Sequence, residues 1–280
     1  MSSAVNPSVA PPVAIEPYRS RGFVSSGCIA TALLLTGSAL VAAYRQQEWE
    51  FPLVRALNSF AHHSMLLDRT MHALTTRDLL QGVPFIGLIW FLWFSCEATA
   101  PRARLLVGTI AAACAGVLSR IIQLELPTHL RPLHQPQLGF VLPFGVEPDA
   151  LNHFNSFPSD HGAVFFTLCA VIWRERPQLG IAAFVWAAII DFARVYEGYH
   201  FPSDLVGAIA LGLLVLYLFQ PVHGARPVSR ILAFAQDRAA WFYMTAFLMT
   251  YQIATLFDDV REIGRGMSAV LLHHDVFNGS

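Results

Sequence analysis

Long apolar stretches separated by short polar ones dominate this chain of 280 residues. A helix needs about 20 mostly apolar residues to cross a bilayer. Seven segments approach that length, near residues 23–43, 80–98, 105–126, 160–174, 179–195, 204–220 and 239–257. The seventh is rich in aromatic and polar residues and either spans the membrane or lies flat at its surface. The pattern predicts an all-α polytopic membrane bundle, with six core transmembrane helices and a seventh, C-terminal one.

The first apolar segment, "GFVSSGCIATALLLTGSALVAAY", is longer than the apolar part of a signal peptide, which has about 7–15 residues. We interpret it as a retained anchor. The chain is then expected to divide into a cytoplasmic polar tail at residues 1–21, a transmembrane core at 22–220 and a C-terminal extension at 221–280.

Composition agrees with a membrane protein. Hydrophobic residues make up 55% of the chain and charged residues only 13%, whereas soluble domains have roughly a quarter charged residues. A net charge of −1 without a basic cluster gives no indication of nucleic acid as a partner. The four cysteines lie within apolar segments and are expected to be small buried side chains. No cluster of cysteine, histidine or carboxylate residues has metal-ligand spacing, so no metal or other cofactor is expected.

All eighteen basic residues are arginines, and their positions predict the orientation. With the N-terminus in the cytoplasm, the positive-inside rule is met by arginines 19, 21, 102, 104, 174, 176, 226, 230 and 238. Segment 44–79 then lies outside, and its helical apolar spacing suits a membrane surface. Segment 133–155, which is proline-rich and without periodicity, is predicted to be an outer loop over a site.

Polar chemistry collects at three places that this topology brings to one membrane face. They are "THLRPLH" with Arg131, "PSDH" at 158–161, and "ARVYEGYHFPSD" at 193–204. Ionisable groups close to hydrocarbon are costly, so their convergence requires mutual partners or a function.

The first group of these residues suits phosphate binding. Ser159 is placed as the N-cap of a helix, whose unpaired N–H groups and partial positive charge attract an anion. Arg131 and Arg194 supply planar forks of donors that match phosphate oxygens.

The second group suits nucleophilic catalysis. His200 and Asp204 stand four apart, so the carboxylate is expected to accept the Nδ1–H and leave Nε2 as a nucleophile. His161 is a second imidazole that can first donate a proton and later activate water. Tyr199 and Phe201, which flank the histidine, are predicted to be interfacial anchors.

These residues together resemble the type 2 phosphatidate phosphatase family, which shares its site with vanadium-dependent haloperoxidases and has the pattern K-x6-R-P, P-S-G-H and S-R-x5-H-x3-D. The resemblance covers residues 80–220 and is to the membrane lipid phosphatase branch of that family. It implies a metal-independent phosphohistidine mechanism, with His200 as nucleophile, Asp204 orienting it and His161 as acid and then base. Arg131, Arg194, Ser159 and the backbone of Asp160 would hold phosphate.

The sequence departs from that pattern where Leu124, Asp160 and Ala193 replace lysine, glycine and serine. Arg120 lies one turn before Leu124, and two interpretations stay open. Arg120 either reaches the phosphate in place of the lysine or makes a structural ion pair, for example with Glu125. The Asp160 carboxylate is expected to turn away from phosphate, toward an arginine or the adjacent histidine.

The expected function is hydrolysis of a lipid phosphate or diphosphate at the outer face of a bacterial-type inner membrane. A polyprenyl diphosphate is the first substrate expected, and phosphatidate or phosphatidylglycerol phosphate the second. A lipid-to-lipid phosphotransferase and a non-catalytic phosphate-lipid binding or transport protein are the alternatives.

Overall fold

The computed structural model describes residues 48–126, 129–152 and 155–258, together with Gly37, Val260 and Ile263. All regular secondary structure in these ranges is helical, which confirms the all-α prediction. The described α-helices are α1 Phe51–Asn58, α2 Met65–Thr76, α3 Gly82–Ser95, α4 Thr99–Glu125, α5 Asp160–Glu175, α6 Pro177–Tyr196, α7 Pro202–Leu218, α8 Arg226–Asp237 and α9 Ala239–Ala254. The predicted span at 23–43 lies outside the described residues except for Gly37.

Helix α5 is the centre of the bundle and packs against α3, α4, α6 and α7. Small residues allow α4 to approach it closely, as in other membrane helix pairs. A Cβ atom at Gly108 would lie 2.5 Å from Val171, and one at Gly116 would lie 2.6 Å from Val164. The close packing of α4 on α5 fixes the end of α4 and the start of α5, next to which the first two polar motifs lie.

Three described segments are long and apolar enough to cross a bilayer: α4 with 27 residues, α6 with 20, and Pro202–Gly224 with 23. Helix α3 is apolar but shorter, and the central α5 has 16 residues. Large apolar side chains remain exposed around the bundle, including Phe91, Phe94, Leu118, Ile121, Ile181, Phe184, Val185, Phe192, Trp241, Phe247 and Leu248. Such an apolar exterior is typical of a surface in contact with lipid.

The C-terminal extension contains two helices where the apolar pattern predicts one. Helix α8 precedes α9, and α9 packs against α3. Trp90 Nε1–H donates to Thr250 Oγ1 at 3.1 Å, and Trp93 Nε1–H donates to Tyr243 Oη at 3.1 Å. The extension is therefore joined to the bundle through the aromatic face of α3.

Segment 44–79 forms α1 and α2, as its helical apolar spacing predicts, and both contact α6. Segment 133–155 contains only short 3₁₀ turns as regular structure in its described part. The cysteines in the described ranges are unpaired; Cys169 is buried, whereas Cys96 and Cys114 are partly buried.

Candidate active site

Four helix ends meet at one end of the bundle. Helices α4 and α6 end there, and α5 and α7 begin there. The structure thus brings together all three polar motifs, and His200, Asp204, Ser159, Arg131 and Arg194 are all buried. Burial of so many polar groups requires that each be paired or have a function.

The contacts of His200 define which nitrogen carries its proton. Its Nδ1 lies 3.0 Å from the carbonyl oxygen of Ser156, which only accepts, so Nδ1 must be the donor. Nε2 lies 3.5 Å from an Arg194 nitrogen that only donates. In the neutral ring Nε2 is therefore unprotonated and faces a guanidinium group.

Asp204 supports His200 less directly than the spacing predicts. Its Oδ2 lies 3.5 Å from His200 Nδ1, a longer distance than that to the Ser156 carbonyl. The same oxygen accepts hydrogen bonds from the Ser156 hydroxyl and, at 2.7 Å, from the Phe201 N–H. Asp204 thus caps the start of α7 and fixes Ser156, and Ser156 in turn holds the imidazole. The prediction that Asp204 accepts the Nδ1–H needs this correction, because a backbone carbonyl lies closer.

The pKa of His200 favours a neutral ring. This pKa is lowered to about 4, chiefly by burial; the positive charges of Arg131 and Arg194 contribute to the decrease, and Asp204 opposes it. The imidazole is then uncharged at neutral pH, which is the state that a nitrogen nucleophile requires.

Arg131 joins two segments of the site. It donates from Nη1 to the carbonyl of Tyr199 at 2.6 Å and from Nη2 to the carbonyl of Asn155 at 3.1 Å. Burial lowers its pKa to about 10, and Arg194 contributes to this decrease, so Arg131 stays charged at neutral pH. Its Nε–H has no hydrogen-bond partner among the described residues.

Arg194 shows the same feature. Its side chain is buried, stacks at 5.6 Å over the Tyr199 ring, and has an unpartnered Nε–H within the described part of the chain. A buried donor without an acceptor costs about 1–3 kcal/mol, and more when it is charged. Two such donors beside an unprotonated imidazole nitrogen indicate a site built for an anion.

Asp160 holds both His161 and Arg120. Its Oδ1 accepts from His161 Nδ1 at 2.8 Å and from the His161 N–H at 2.9 Å. Its Oδ2 accepts from Arg120 Nη2 at 2.7 Å. The carboxylate therefore turns toward an arginine and a histidine, as expected, and leaves Nε2 of His161 for proton transfer. Of the two interpretations of Arg120, the geometry favours an ion pair, with Asp160 as its partner.

Ser159 forms the predicted N-cap of α5, accepting from the Gly162 N–H at 3.2 Å. Its own N–H donates to the Asp204 carbonyl at 3.3 Å and joins the starts of α5 and α7. Ser119 and Gln123 of α4 both donate to the carbonyl oxygen of Pro158, the residue before Ser159, at 3.0 and 2.5 Å. The start of α5 is thus held by two neighbouring helices.

Comparison with known proteins shows which family the site region is similar to. Residues 102–227 match the family model of the PAP2 superfamily. This part of the chain is therefore similar to the PAP2 superfamily. The matched region contains all three polar motifs and runs from α4 to the start of α8.

A solved PAP2 structure shares the fold. It is the crystal structure of a transmembrane PAP2 type phosphatidylglycerolphosphate phosphatase from Bacillus subtilis. The superposition has a TM-score of 0.50 at 20% sequence identity and covers 69% of this chain and 94% of the other. The apolar helices and this shared fold identify a membrane-embedded protein.

Two curated proteins are similar in sequence. YbjG of Escherichia coli (strain K12) is 34% identical over 141 residues, which are 49% of this chain and 65% of YbjG, just under two thirds. Undecaprenyl-diphosphatase BcrC of Bacillus subtilis (strain 168) is 23% identical over 171 residues, which are 60% of this chain and 81% of BcrC.

The departures from the PAP2 pattern have structural counterparts. Leu124, at the lysine position, is 62% exposed on the outside of the bundle. Ala193 is fully buried. Arg120 extends from one turn below Leu124 to the start of α5, where it neutralises the carboxylate that replaces the PAP2 glycine. The two departures are thus linked: Arg120, the cation nearest in sequence to the position of the missing lysine, pairs with the added Asp160.

Several buried polar residues of the site are not identified by sequence reasoning. Ser156 holds His200 and Asp204, and His129 Nε2 lies 3.6 Å from Asp204 Oδ1. Both residues stand in or beside the quoted motifs, so proximity was the available signal. Asp191 is buried on α6, and its oxygens have no hydrogen-bond partner among the described residues.

Two glutamates also support the site: Glu50, which lies outside the motifs, and Glu197, which lies within the third motif. Glu50, fully buried, accepts from the Ser203 N–H at 2.8 Å and from its hydroxyl at 2.7 Å, beside Asp204. Glu197, also fully buried, accepts from Thr75 Oγ1 at 2.5 Å, and its Oε1 lies 3.0 Å from His72 Nδ1. They join α1 and α2 to the catalytic loops.

Tyr199 and Phe201 are not interfacial anchors, because both are buried. Phe201 stacks on Phe51 with ring centroids 6.1 Å apart, under α1. The prediction was wrong because it treated the loop as open to the interface, whereas α1 covers it.

Proposed function

We propose that this protein is a membrane lipid phosphatase that acts through a phosphohistidine at His200. The observation that carries the proposal is the pair of buried arginines, Arg131 and Arg194, beside an unprotonated imidazole nitrogen. Their Nε–H groups have no partner among the residues that the structure describes. A phosphoryl group satisfies these donors and supplies the electrophile that His200 attacks.

The proposed reaction has two steps. His200 Nε2 attacks phosphorus and forms a P–N bond while the bond to the lipid oxygen breaks, and protonated His161 gives its proton to that oxygen. Neutral His161 then takes a proton from water, the water oxygen attacks phosphorus, and the P–N bond breaks to release phosphate. Asp160 orients His161 for both steps, while the start of α5, capped by Ser159, stabilises the charge on phosphate.

A polyprenyl diphosphate is the proposed first substrate, and phosphatidate or phosphatidylglycerol phosphate the second. The name of BcrC of Bacillus subtilis as an undecaprenyl-diphosphatase supports the first substrate. The buried arginines suit the phosphate end of any of these lipids, so the substrate must be determined by assay.

We further propose that six core helices cross a bacterial-type inner membrane, with the N-terminus in the cytoplasm and the site at the outer face. On this scheme 1–21 is a polar tail, 22–220 the catalytic core with its first span at 23–43, and 221–280 an extension in which 239–257 adds a seventh crossing. Arg104 supports this orientation, since it pairs with Glu175 at 2.6 Å at the end of the bundle opposite His200.

Phosphate release by detergent-purified protein tests the proposal. The assay compares the three lipids, with EDTA present, for wild type, His200→Ala and, as control, His134→Ala in an outer loop. We expect release by wild type and the control, and a loss of about 10³-fold or more in His200→Ala.

Two other outcomes would identify the alternatives. Phosphate transferred to an added lipid rather than to water would indicate a phosphotransferase. Lipid binding without release by the folded wild type would contradict the phosphatase and indicate a binding or transport protein.

A further inference from the structure

A second polar cavity lies beside α2, at the same end of the bundle as His200. It has a volume of about 490 Å³ and is lined by Met65, Arg69, His72, Ala73, Thr76, Arg77, Phe144 and Gly145. None of the catalytic or phosphate-binding residues named above lines it. The cavity is therefore a separate place at which a ligand can bind.

One face of α2 supplies its chemistry. Arg69, His72 and Thr76 recur at helical spacing, so their side chains point to the same side, and Arg77 follows as the C-cap of α2. The guanidinium groups of Arg69 and Arg77 supply donors and positive charge, and no carboxylate is among the lining residues. The Thr76 hydroxyl donates to the His72 carbonyl at 2.6 Å, and His72 Nδ1 lies 3.0 Å from Glu197 Oε1. The donors of the two guanidinium groups match a phosphate group.

Two carboxylates, Asp68 of α2 and Glu197 packed against α2, are engaged by other groups of the protein. Asp68 is fully buried and accepts hydrogen bonds from the Tyr196 hydroxyl and from the N–H groups of Phe144 and His62. Glu197 is held by Thr75 and His72. Glu197 thus pairs with His72 of the wall, whereas neither Asp68 nor Glu197 forms an ion pair with Arg69 or Arg77 in the described structure.

Phe144 and Gly145 form the opposite wall of the cavity, and the backbone of this wall approaches α2 closely. Phe144 is tied to Asp68 by its N–H at 3.1 Å. Gly145 has φ +97°, and a Cβ atom there would lie 2.9 Å from Cδ2 of His72. Only glycine keeps this backbone and this space without strain.

We propose that this cavity binds the phosphate group of an anionic phospholipid, as a site additional to the catalytic one. The position supports a lipid source, because α2 lies at the end of the bundle where a lipid headgroup must reach His200. His72 of the cavity wall also contacts Glu197, which lies three residues before the proposed nucleophile His200 in the chain.

Lipid retention by the full chain in detergent tests this site. All proteins carry His200→Ala, so turnover does not enter and the result does not depend on the phosphatase proposal. Arg69→Gln/Arg77→Gln is compared with Arg226→Gln/Arg230→Gln, a control that removes two exposed arginines of α8. Native mass spectrometry measures binding of phosphatidylglycerol and, as the neutral lipid, diacylglycerol.

We expect phosphatidylglycerol binding to the Arg69/Arg77 variant to be about tenfold weaker or more, and binding to the control to be unchanged. Diacylglycerol should bind weakly to every protein. Competition by millimolar inorganic phosphate distinguishes the sources: displacement would identify free phosphate as an occupant, and persistence would identify the lipid headgroup.

Equal retention of phosphatidylglycerol by the Arg69/Arg77 variant and its parent would overturn the proposal. An equal loss in the control pair would also overturn it, since the effect would then be one of overall charge. Melting temperatures of all variants establish that they are folded, and the single variant Arg69→Gln, expected to bind more weakly than its parent, replaces the double variant if that one unfolds.

Discussion

Asp160 lies between two cationic partners, with Nδ1 of His161 2.8 Å from one carboxylate oxygen and Nη2 of Arg120 2.7 Å from the other. One side chain thus connects α4 to the imidazole proposed as acid and base. The position is glycine in the family pattern, so this connection depends on a residue that the pattern lacks.

The Arg120–Asp160 pair should be energetically coupled in catalysis. Asp160→Asn is expected to lower kcat about tenfold or more, because the amide orients and stabilises protonated His161 less well. Arg120→Ala should also lower kcat. In the double variant the losses should be less than additive by about 1–3 kcal/mol, measured as a double-mutant cycle on kcat/KM.

Full additivity would mean that Arg120 acts on the phosphate independently of Asp160. Leu124→Lys is the companion variant. Its side chain starts from the exposed surface, so we expect no gain in kcat while the Arg120–Asp160 pair is intact.

Arg194→Lys should impair the enzyme without unfolding it. Lysine keeps the charge but loses the planar fork and the Nε–H that has no partner within the described chain. Loss of such charge-assisted hydrogen bonds corresponds to about 1.5–3 kcal/mol, or about 10- to 100-fold in kcat/KM. Arg176→Lys, an exposed arginine at the opposite end of the bundle, should match wild type; equal effects in both variants would contradict a phosphate role for Arg194.

His200 should stay neutral well below the usual histidine range. Its pKa is lowered to about 4, chiefly by burial. The folded ring therefore binds its second proton only as the pH falls through about 4, whereas the unfolded ring binds it near 6.5. This group thus destabilises the fold as the pH decreases from about 6.5 to 4, and stability is fully present above 6.5.

Nitrogen-15 NMR of histidine-labelled protein measures this titration, and the variant His200→Asn assigns the signal. We expect the shifts of a neutral ring with a proton on Nδ1 down to about pH 5. A midpoint near 6.5 would show that the ring is exposed and that its tautomer is not held by Ser156.

Glu50→Ala should lower both stability and activity. The substitution leaves the buried Ser203 N–H and hydroxyl without their acceptor, at a cost of about 1–3 kcal/mol for an unsatisfied group. Because Ser203 precedes Asp204 at the start of α7, kcat should fall as well. Glu48→Ala, an exposed residue of the same turn, is the control for the melting temperature and for kcat. An unchanged melting temperature in Glu50→Ala would contradict the capping role.

The sequence predicts how the main elements of the site meet, because alternating spans bring residues 131, 158–161 and 193–204 to one face. It does not predict the Ser156 carbonyl as partner of His200, since a backbone acceptor leaves no side-chain pattern. Nor does it predict Glu50, which lies 153 residues from Ser203 and meets it only through tertiary packing.

The partner of Arg120 illustrates a further limit. The local sequence offers only nearby carboxylates such as Glu125, five residues on, whereas Asp160 is 40 residues distant and becomes a neighbour only when α4 packs on α5. The helix ends were predictable to a few residues, whereas the covering of Phe201 by α1 required the path of segment 44–79.

The way in which α1 and α2 attach to the site has a consequence for how substrate preference can change. Their polar attachments to the catalytic end include three buried carboxylates, Glu50, Asp68 and Glu197. We therefore expect that residues 48–76 can be exchanged for the equivalent segment of a relative that keeps partners for these carboxylates. Such an exchange should alter headgroup preference while the reacting groups stay the same.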